Sequence, residues 1–434
     1  MQTVARVAID SPLPNLDRLF DYSIPDELRD SAKPGVRVRV KFGRTKKLLD
    51  GYIAELAGHS DFKLTDLAEV VSPVPVLPSN IYKLCRALGE RQASTLGDVL
   101  SGAVARRFVA VEKKFLAESR PVEPLARDRK ARLHAALAAP ALVVIDRIDE
   151  PVPAWAAAVL NKAFDAIDSG ESAIVVVPDF RDIEVILSAA SKSKYVSHVV
   201  NYSTDQTGSK RYESYLRCLT AGQHLVVGSR SAIFAPLANL GLIAMFDDGD
   251  PNLQDQQSPY AHARDIALLR QQIENCDVFF TAHSRSCEVQ RLIDMKYLVD
   301  EEPTFKTPAV AFDDTDSRVP TLAWQTIREA SANGPVLVQV AAKGTARTAY
   351  CQGCSTRSLC KSCKGPIWID ATGMPRCRWC NLQNLDYKCV SCGDTRIRQG
   401  FGGSTRTVSE FGKAFPGVAI VESTGDKPTL EISP

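Results

Sequence analysis

Between Ala103 and Ser169 the chain has no glycine, and nowhere in its 434 residues does the spacing G-x-x-x-x-G-K-[ST] occur. Only glycines let backbone N–H groups wrap a chain of phosphates, and the lysine of that spacing neutralises them. Its absence removes the usual cradle for nucleoside triphosphates. No run of about 18 apolar residues occurs either, which excludes a membrane-spanning helix. The opening MQTVARVAIDSPLP lacks the cationic start and long apolar core of a secretory signal, so a cytoplasmic protein without a membrane partner is expected. Net charge is scarce too. At +2, any basic surface must come from local clustering. Apolar content of 45% and charged content of 24% suit a globular chain of two or three domains, because single cores rarely grow past about 250–300 residues.

Residues 1–78 alternate with the period of a strand: VARVAI, VRVRVKF and LLDGYIAELA, separated by Pro and Gly. KPGVRVRVKFGRTKK carries Lys33, Arg37, Arg39, Lys41, Arg44, Lys46 and Lys47 with no acid among them. Two readings stand side by side: a surface for a polyanion, or a charged edge hairpin kept from aggregating. After the Pro-rich VVSPVPVLPS, residues 79–130 have helical spacing and read as a helical linker or winged-helix-like remnant. From about Ala141 short apolar strands alternate with amphipathic helices, the pattern of a parallel sheet covered on both faces. That lobe is expected over 131–305, with ALVVID as its first strand. A second strand–helix start at GPVLVQVA and a helix and strand in TVSEFGKAFPGVAIVES frame a partial second lobe, 306–350 and 393–434.

Eight of the twelve cysteines lie between residues 351 and 392 as four Cys-x-x-Cys pairs: Cys351/Cys354, Cys360/Cys363, Cys377/Cys380 and Cys389/Cys392. A thiolate pair three apart on a tight turn holds two corners of a tetrahedron, so two such pairs close one structural zinc site. Two Zn²⁺ per chain are expected. Redox pairs or disulfides do not account for four evenly built pairs in a cytoplasmic chain. Arg357, Lys361, Lys364, Arg376, Arg378 and Lys388 line the block, with Trp368, Trp379 and Tyr387 between them. This mixture suits phosphates and stacked bases, and the aromatics serve equally as a small ribbon core.

LGLIAMF, residues 240–246, reads as a buried strand and breaks into DDGD, the outline of a magnesium-holding strand end. The turn after ALVVID, where a phosphate cradle belongs, carries Asp146, Asp149 and Glu150 instead of glycine. Without a cradle, the aspartates are expected at a solvated strand end, and no ATP is expected as cofactor.

SPLPNLDRLFDYSIP, PGVRVRVKFG, VVGSRSAIFAPLANLGLI and YAHARD together resemble PriA, the family of primosomal replication-restart helicases. The resemblance spans nearly the whole chain. It implies a multidomain α/β protein: an N-terminal β-rich DNA-binding domain, a degenerate RecA-like helicase lobe, and a partial second lobe holding an inserted two-zinc Cys₄ ribbon. The family's crossed arrangement puts Cys351, Cys354, Cys389 and Cys392 on one ion and Cys360, Cys363, Cys377 and Cys380 on the other. It implies a pocket for a DNA 3′ end at Phe20, Asp21, Tyr22 and Gly43, beside Arg37, Arg39 and Lys41. A lysine of that pocket is Ala68 here. Ser229, Arg230 and Ser231 match a segment that faces DNA. Several departures stand out. The family's acidic box, Asp-Glu-Glu-His, aligns with Phe246, Asp247, Asp248 and Gly249; FFTAHSRS replaces SATPS; and AAKGTART replaces an arginine-rich turn. The chain stops at Pro434, before the segments expected to hold the arginine finger. This pattern resembles the actinobacterial branch, which keeps the body without the helicase motifs.

The expected function is therefore that of a replication restart protein without ATPase or helicase activity. It would bind stalled forks, single-strand/double-strand junctions and 3′ ends of DNA. The expected partners are primosome and helicase-loading proteins and single-stranded DNA-binding protein, at the nucleoid. The alternatives are a 3′–5′ helicase with a non-standard nucleotide site, and a zinc-ribbon adaptor between proteins.

Overall fold

A computed structural model describes residues 3–43, 45–301, 309–315, 317, 319–340, 348–370, 372–399 and 404–423. Arg44, the AAKGTART turn up to Arg347, and Pro434 lie outside the described residues. Two compact units divide the chain, Met1–Thr307 and Pro308–Pro434.

The first unit opens with β1 (Val4–Ile9), β2 (Leu19–Ser23), β3 (Val36–Phe42), β4 (Lys47–Ala57), β5 (Thr65–Asp66) and β6 (Glu69–Pro75), in the sheet order β5-β2-β1-β4-β3-β6. Residues 65–75 pair with both edges. The Leu67 N–H donates to Ser23 O at 2.9 Å and the Ala68 N–H to Arg39 O at 3.1 Å, so the sheet curls shut. Strand alternation sends Val36, Val38 and Val40 inward onto Ala5, Val7 and Ile53, and leaves Arg39 and Lys41 outside.

Three helices follow: α1 (Ser79–Arg91), α2 (Leu96–Ala103) and α3 (Val109–Glu118). They are more than a linker. Ile81, Leu84, Cys85 and Leu88 share one buried core with the α/β lobe. Glu112 is buried and held by Arg107 at 2.7 Å and by the Tyr212 hydroxyl at 2.5 Å.

The lobe runs β7 (Leu133–Leu137), β8 (Leu142–Ile145), β9 (Glu150–Pro153), α4 (Ala154–Asp168), β10 (Ser172–Val176), α5 (Phe180–Ser191), β11 (Val199–Asn201), α6 (Gly208–Cys218), β12 (Leu225–Gly228), β13 (Leu240–Phe246), α7 (Ala263–Glu274), β14 (Asp277–Ala282), α8 (Cys287–Asp294) and β15 (Val299–Glu301). Seven of its strands form a parallel sheet ordered β11-β12-β10-β13-β14-β7-β15. The expected first strand is corrected here. LHAAL, not ALVVID, enters the sheet, and ALVVID forms β8, a hairpin with β9 outside it. Leu142 and Val144 stand exposed at 67% and 61%. Apolar content favoured ALVVID, but β7 already occupies the place beside β14.

In the second unit, α9 (Thr321–Ser331) precedes the small pairs β16 (Ala349–Cys351) with β19 (Ile397–Gln399) and β17 (Ile367–Ile369) with β18 (Pro375–Cys377). Helix α10 (Ser404–Ala414) closes it, and Trp324 of α9 packs on Phe411 and Phe415 at 4.9 and 5.5 Å. The strands expected at 335–340 and 418–423 are not formed. A strand needs a neighbour for its backbone groups, and among the described residues none stands beside either segment.

Candidate metal centres and nucleic-acid interface

The eight clustered cysteines gather into two groups, Cys351/Cys354/Cys389/Cys392 and Cys360/Cys363/Cys377/Cys380, with all sulfurs of a group within 4.8 Å of one another. Neighbouring sulfurs stand 3.3 to 3.8 Å apart. A disulfide needs about 2.05 Å, whereas zinc bonded to sulfur at about 2.3 Å places tetrahedral corners roughly 3.8 Å apart. The donor set and its spacing therefore fit zinc.

Each pair is the same knuckle. The residue after its second cysteine has a left-handed backbone (Ser355 φ 59°, Lys364 φ 60°, Asn381 φ 57°, Gly393 φ 78°) and sends its N–H back to the carbonyl of the first. Backbone N–H groups also point at sulfur: Gly365 to Cys363 Sγ at 3.4 Å, Trp379 to Cys377 Sγ at 3.3 Å, Ser391 to Cys389 Sγ at 3.4 Å. The N–H groups of Cys392 and Ser391 lower the Cys389 thiol from its usual range. Tyr387 is buried in the ribbon's core, Trp368 is half-buried, and Trp379 is 73% exposed. Among the flanking cations, Lys361 pairs with Asp386 and Arg376 with Asp370.

At the carboxyl end of β13, Phe246 lies flat against Trp155 of α4, rings 4.0 Å apart and inclined by 15°. His283 meets it edge-on at 5.8 Å. Both stacked rings are buried. In open α/β sheets this end of the strands is where ligands bind. Residues 138–153, which join β7 to α4, contain the β8–β9 hairpin, three prolines and no glycine.

The aspartates behind Phe246 are not the solvated strand end expected. Asp248 is 2% exposed, accepts from Arg264 at 3.0 Å, and takes the Ser286 hydroxyl at 2.6 Å. Arg264 comes from YAHARD and Ser286 caps α8, so the carboxylate pins two helix starts to the sheet. Asp247 is half-buried, and burial, then the charge of Asp250, pushes its carboxyl above the usual range.

On the barrel, alternation divides the residues implied for a 3′-end pocket. Phe20 and Tyr22 face the interior. Phe20 packs edge-on against Phe42 at 5.0 Å, under Arg18 at 4.8 Å, and the Tyr22 hydroxyl donates to Lys41 O at 3.5 Å. Asp21 lies on the other face of β2, opposite Arg6. Gly43 follows Phe42 with φ 68°, and nothing stands within 4 Å of the Cβ a larger residue would add. Phe20 and Gly43 thus share one end of the barrel, and Asp21 stands on its outside. Arg37, on the same face of β3 as Arg39, is covered by the segment after α2, donating to Ala105 O beside the Tyr52 ring. Arg39 pairs with Asp50 at 3.0 Å and Glu69 at 3.4 Å. Lys33, Lys41, Lys46 and Lys47 stay exposed.

Ser229, Arg230 and Ser231 form the turn after β12. Arg230 donates to Asn252 O at 3.1 Å, and the Ser231 hydroxyl is buried without a partner. Arg270, fully buried, holds this turn through Ile233 O and Ala235 O. Trp155, Arg264 and Arg270 escaped the sequence reading. Only an arginine or tryptophan inside an otherwise apolar helix face could have flagged them.

Residues 6–105 match the family model described as the 3′DNA-binding domain (3′BD) of PriA. A relative from Mycobacterium bovis, named Probable replication restart protein PriA, is 36% identical over 97% of this chain and 69% of its own length. Replication restart protein PriA of Synechocystis is 24% identical over 60% of this chain and 34% of its own length. A solved DEAD-box helicase bound to ssRNA and UDP-BeF aligns with 43% of this chain and 34% of its own, at 14% identity and a TM-score of 0.28, too low to carry an argument.

Proposed function

Because the chain belongs to the PriA family of replication restart proteins, we propose that it is a DNA-binding restart protein without a motor. It binds branched DNA and 3′ ends at abandoned forks, and it gathers primosome and helicase-loading proteins and single-stranded DNA-binding protein there, at the nucleoid. The observation that carries this reading is the stacked pair Phe246–Trp155 at the ligand end of the sheet. Phosphoryl transfer depends on a backbone cradle, a lysine and a magnesium ion that neutralise developing charge. Here the connection from β7 to α4 offers no glycine, the aligned magnesium position is a phenylalanine, and Asp248 is committed to Arg264.

The 3′-end contact rests on Phe20, Asp21 and Gly43 and on the exposed Lys41. Two zinc ions, held by Cys351, Cys354, Cys389 and Cys392 and by Cys360, Cys363, Cys377 and Cys380, have four protein ligands each. They supply rigidity rather than hydrolysis, because no coordination position is left open. A second reading is favoured by the exposure of Trp379, Leu385 and Val390 at 73%, 66% and 74%: the ribbon is an adaptor surface for a partner protein.

Two measurements test the proposal. Phosphate release with single-stranded DNA should stay at the buffer blank, and turnover that disappears on Asp247→Asn would sink the motorless reading. Fork binding across a potassium chloride series should weaken steeply with salt, since each phosphate contact releases counterions. A flat or absent response would leave the adaptor reading.

A further inference from the structure

At the amino edge of the parallel sheet, opposite the edge that carries the Phe246–Trp155 stack, a cleft of about 100 Å³ opens beside the last turns of α4. Its floor is apolar: Leu242, Val278 and Phe279, near the starts of β13 and β14. Its walls carry Arg129, Arg132, His134 and Lys162. The acids around it are already committed. Glu171 accepts from Arg127 at 2.9 Å and from Arg129 at 3.0 Å. Asp277, 5% exposed, takes Arg127 and Arg129 at 3.2 Å, Arg132 at 3.0 Å and the Arg132 backbone N–H at 2.8 Å. Asp165 faces Arg147 at 2.5 Å, and Glu301 accepts from Lys162 at 2.7 Å. Arg127, Arg129 and Arg132 thus share two carboxylates, Glu171 and Asp277, which leaves one positive charge in excess. Among the described residues, Arg129 Nε and Arg132 Nη1 donate to no partner. Lys162 adds a second cation, 4.6 Å from the centre of the Phe279 ring.

We propose that this cleft binds a small organic monocarboxylate, its carboxylate on the free donors of Arg129 and Arg132 and its short aliphatic tail over Val278 and Phe279. A planar guanidinium fork matches the two oxygens of a carboxylate. An apolar cavity of about 150 Å³ takes benzene, so this cleft takes about four non-hydrogen atoms, enough for a carboxylate with a short tail and too few for a nucleotide. One excess charge balances a monoanion. A dianion such as phosphate would be left partly unneutralised beside Glu171 and Asp277. Arg129 and Arg132 belong to the segment that joins α3 to β7, so an occupied cleft fastens that segment to the sheet. No residue of the barrel pocket, the turn after β12 or the ribbon takes part, and the cleft is independent of DNA binding.

The test uses the full chain and sodium propionate at fixed ionic strength, with binding read by saturation transfer from the protein to the propionate methyl protons. Propionate should bind with a Kd of about 1 mM, within what so few atoms can supply. Propionamide, its neutral isostere, should bind about tenfold more weakly, because a charged hydrogen bond is lost. Arg132→Gln should weaken propionate about tenfold for the same reason, and Arg132→Lys about threefold, since the charge stays and the fork goes. Arg181→Gln, exposed at the other edge of the sheet, should change nothing. The Arg132 side chain is 68% exposed, so its removal costs little stability, and thermal melts confirm that each variant folds. Fork DNA should bind Arg132→Gln as it binds the native chain; a loss there would make the cleft a DNA contact and overturn the carboxylate assignment. Native propionate affinity in Arg132→Gln would overturn it too, as would phosphate that displaces propionate at equal concentration or propionamide that binds as well. Each of these outcomes leaves the restart reading standing.

Discussion

Phe246 sits on Trp155 at the carboxyl end of β13, and the stack is part of the core. Trp155→Ala should cost about 3–5 kcal/mol, the usual range for emptying a buried aromatic site, read from urea midpoints. Phe246→Asp should destabilise by a similar amount and restore no ATPase, because an acid under an indole gains neither a cradle nor a lysine. Asp182 behaves differently. Burial, then the charge of Asp179 with Asp247 and Asp250 nearby, pushes its carboxyl up to about 6, against about 3.9 in an unfolded chain. Below pH 4 the group is protonated in both states and contributes nothing. As pH rises through 4 to 6 the unfolded chain ionises first, so the folded state loses stability, fully by pH 7. The shift corresponds to about 3 kcal/mol, and solvent at this half-exposed site reduces it to about 1. Asp182→Asn should therefore stabilise by about 1 kcal/mol at pH 7 and not at pH 4; equal gains at both would refute the assignment.

At the scale of elements, the knuckle is a five-residue device whose backbone is the same in all four copies. Lys364 adopts a left-handed conformation that costs an ordinary residue about 1–2 kcal/mol. Lys364→Gly should accordingly tighten retention of the inner metal by about 1 kcal/mol in chelator competition. Gly365→Ala should do the reverse, since the added methyl would stand 2.8 Å from the Trp379 ring and 2.9 Å from Cys377 Sγ. A stoichiometry of two metals in that variant would contradict the crowding. The knuckles were legible in the sequence because their chemistry is local: spacing alone sets the turn. The β8–β9 hairpin was not. Its apolar letters fit a core strand as well as a hairpin, and the competition with LHAAL for the place beside β14 is settled only by long-range pairing.

For the whole molecule, the two units keep separate interiors. The cores of the barrel and lobe draw on residues between Ala5 and Leu298 and use none of the eight clustered cysteines. Stripping metal with a strong chelator should thus unfold the ribbon, where site binding is worth about 10 kcal/mol or more, and leave the first unit intact. Hydrogen exchange read by mass spectrometry should show lost protection within residues 349–399 and unchanged protection in β10, β12 and β13. Loss of protection in both units would mean that they fold as one.

The alternation of the barrel strands, the buried strands β10, β12, β13 and β14 and the eight sulfur donors follow from the sequence, because each depends on residue type at short spacing. Tertiary structure decided what each polar residue is for. Arg37 and Arg39 read as one basic run and share one face of β3, yet one meets Ala105 and the other Asp50, since that face passes different neighbours along the strand. Asp248 reads as a solvated acid and is a buried anchor, because Arg264 and Ser286, 16 and 38 residues away in the chain, fold back onto it. Charge and polarity are properties of a residue. Whether they meet solvent, a partner charge or a ligand is fixed only when distant segments close around them.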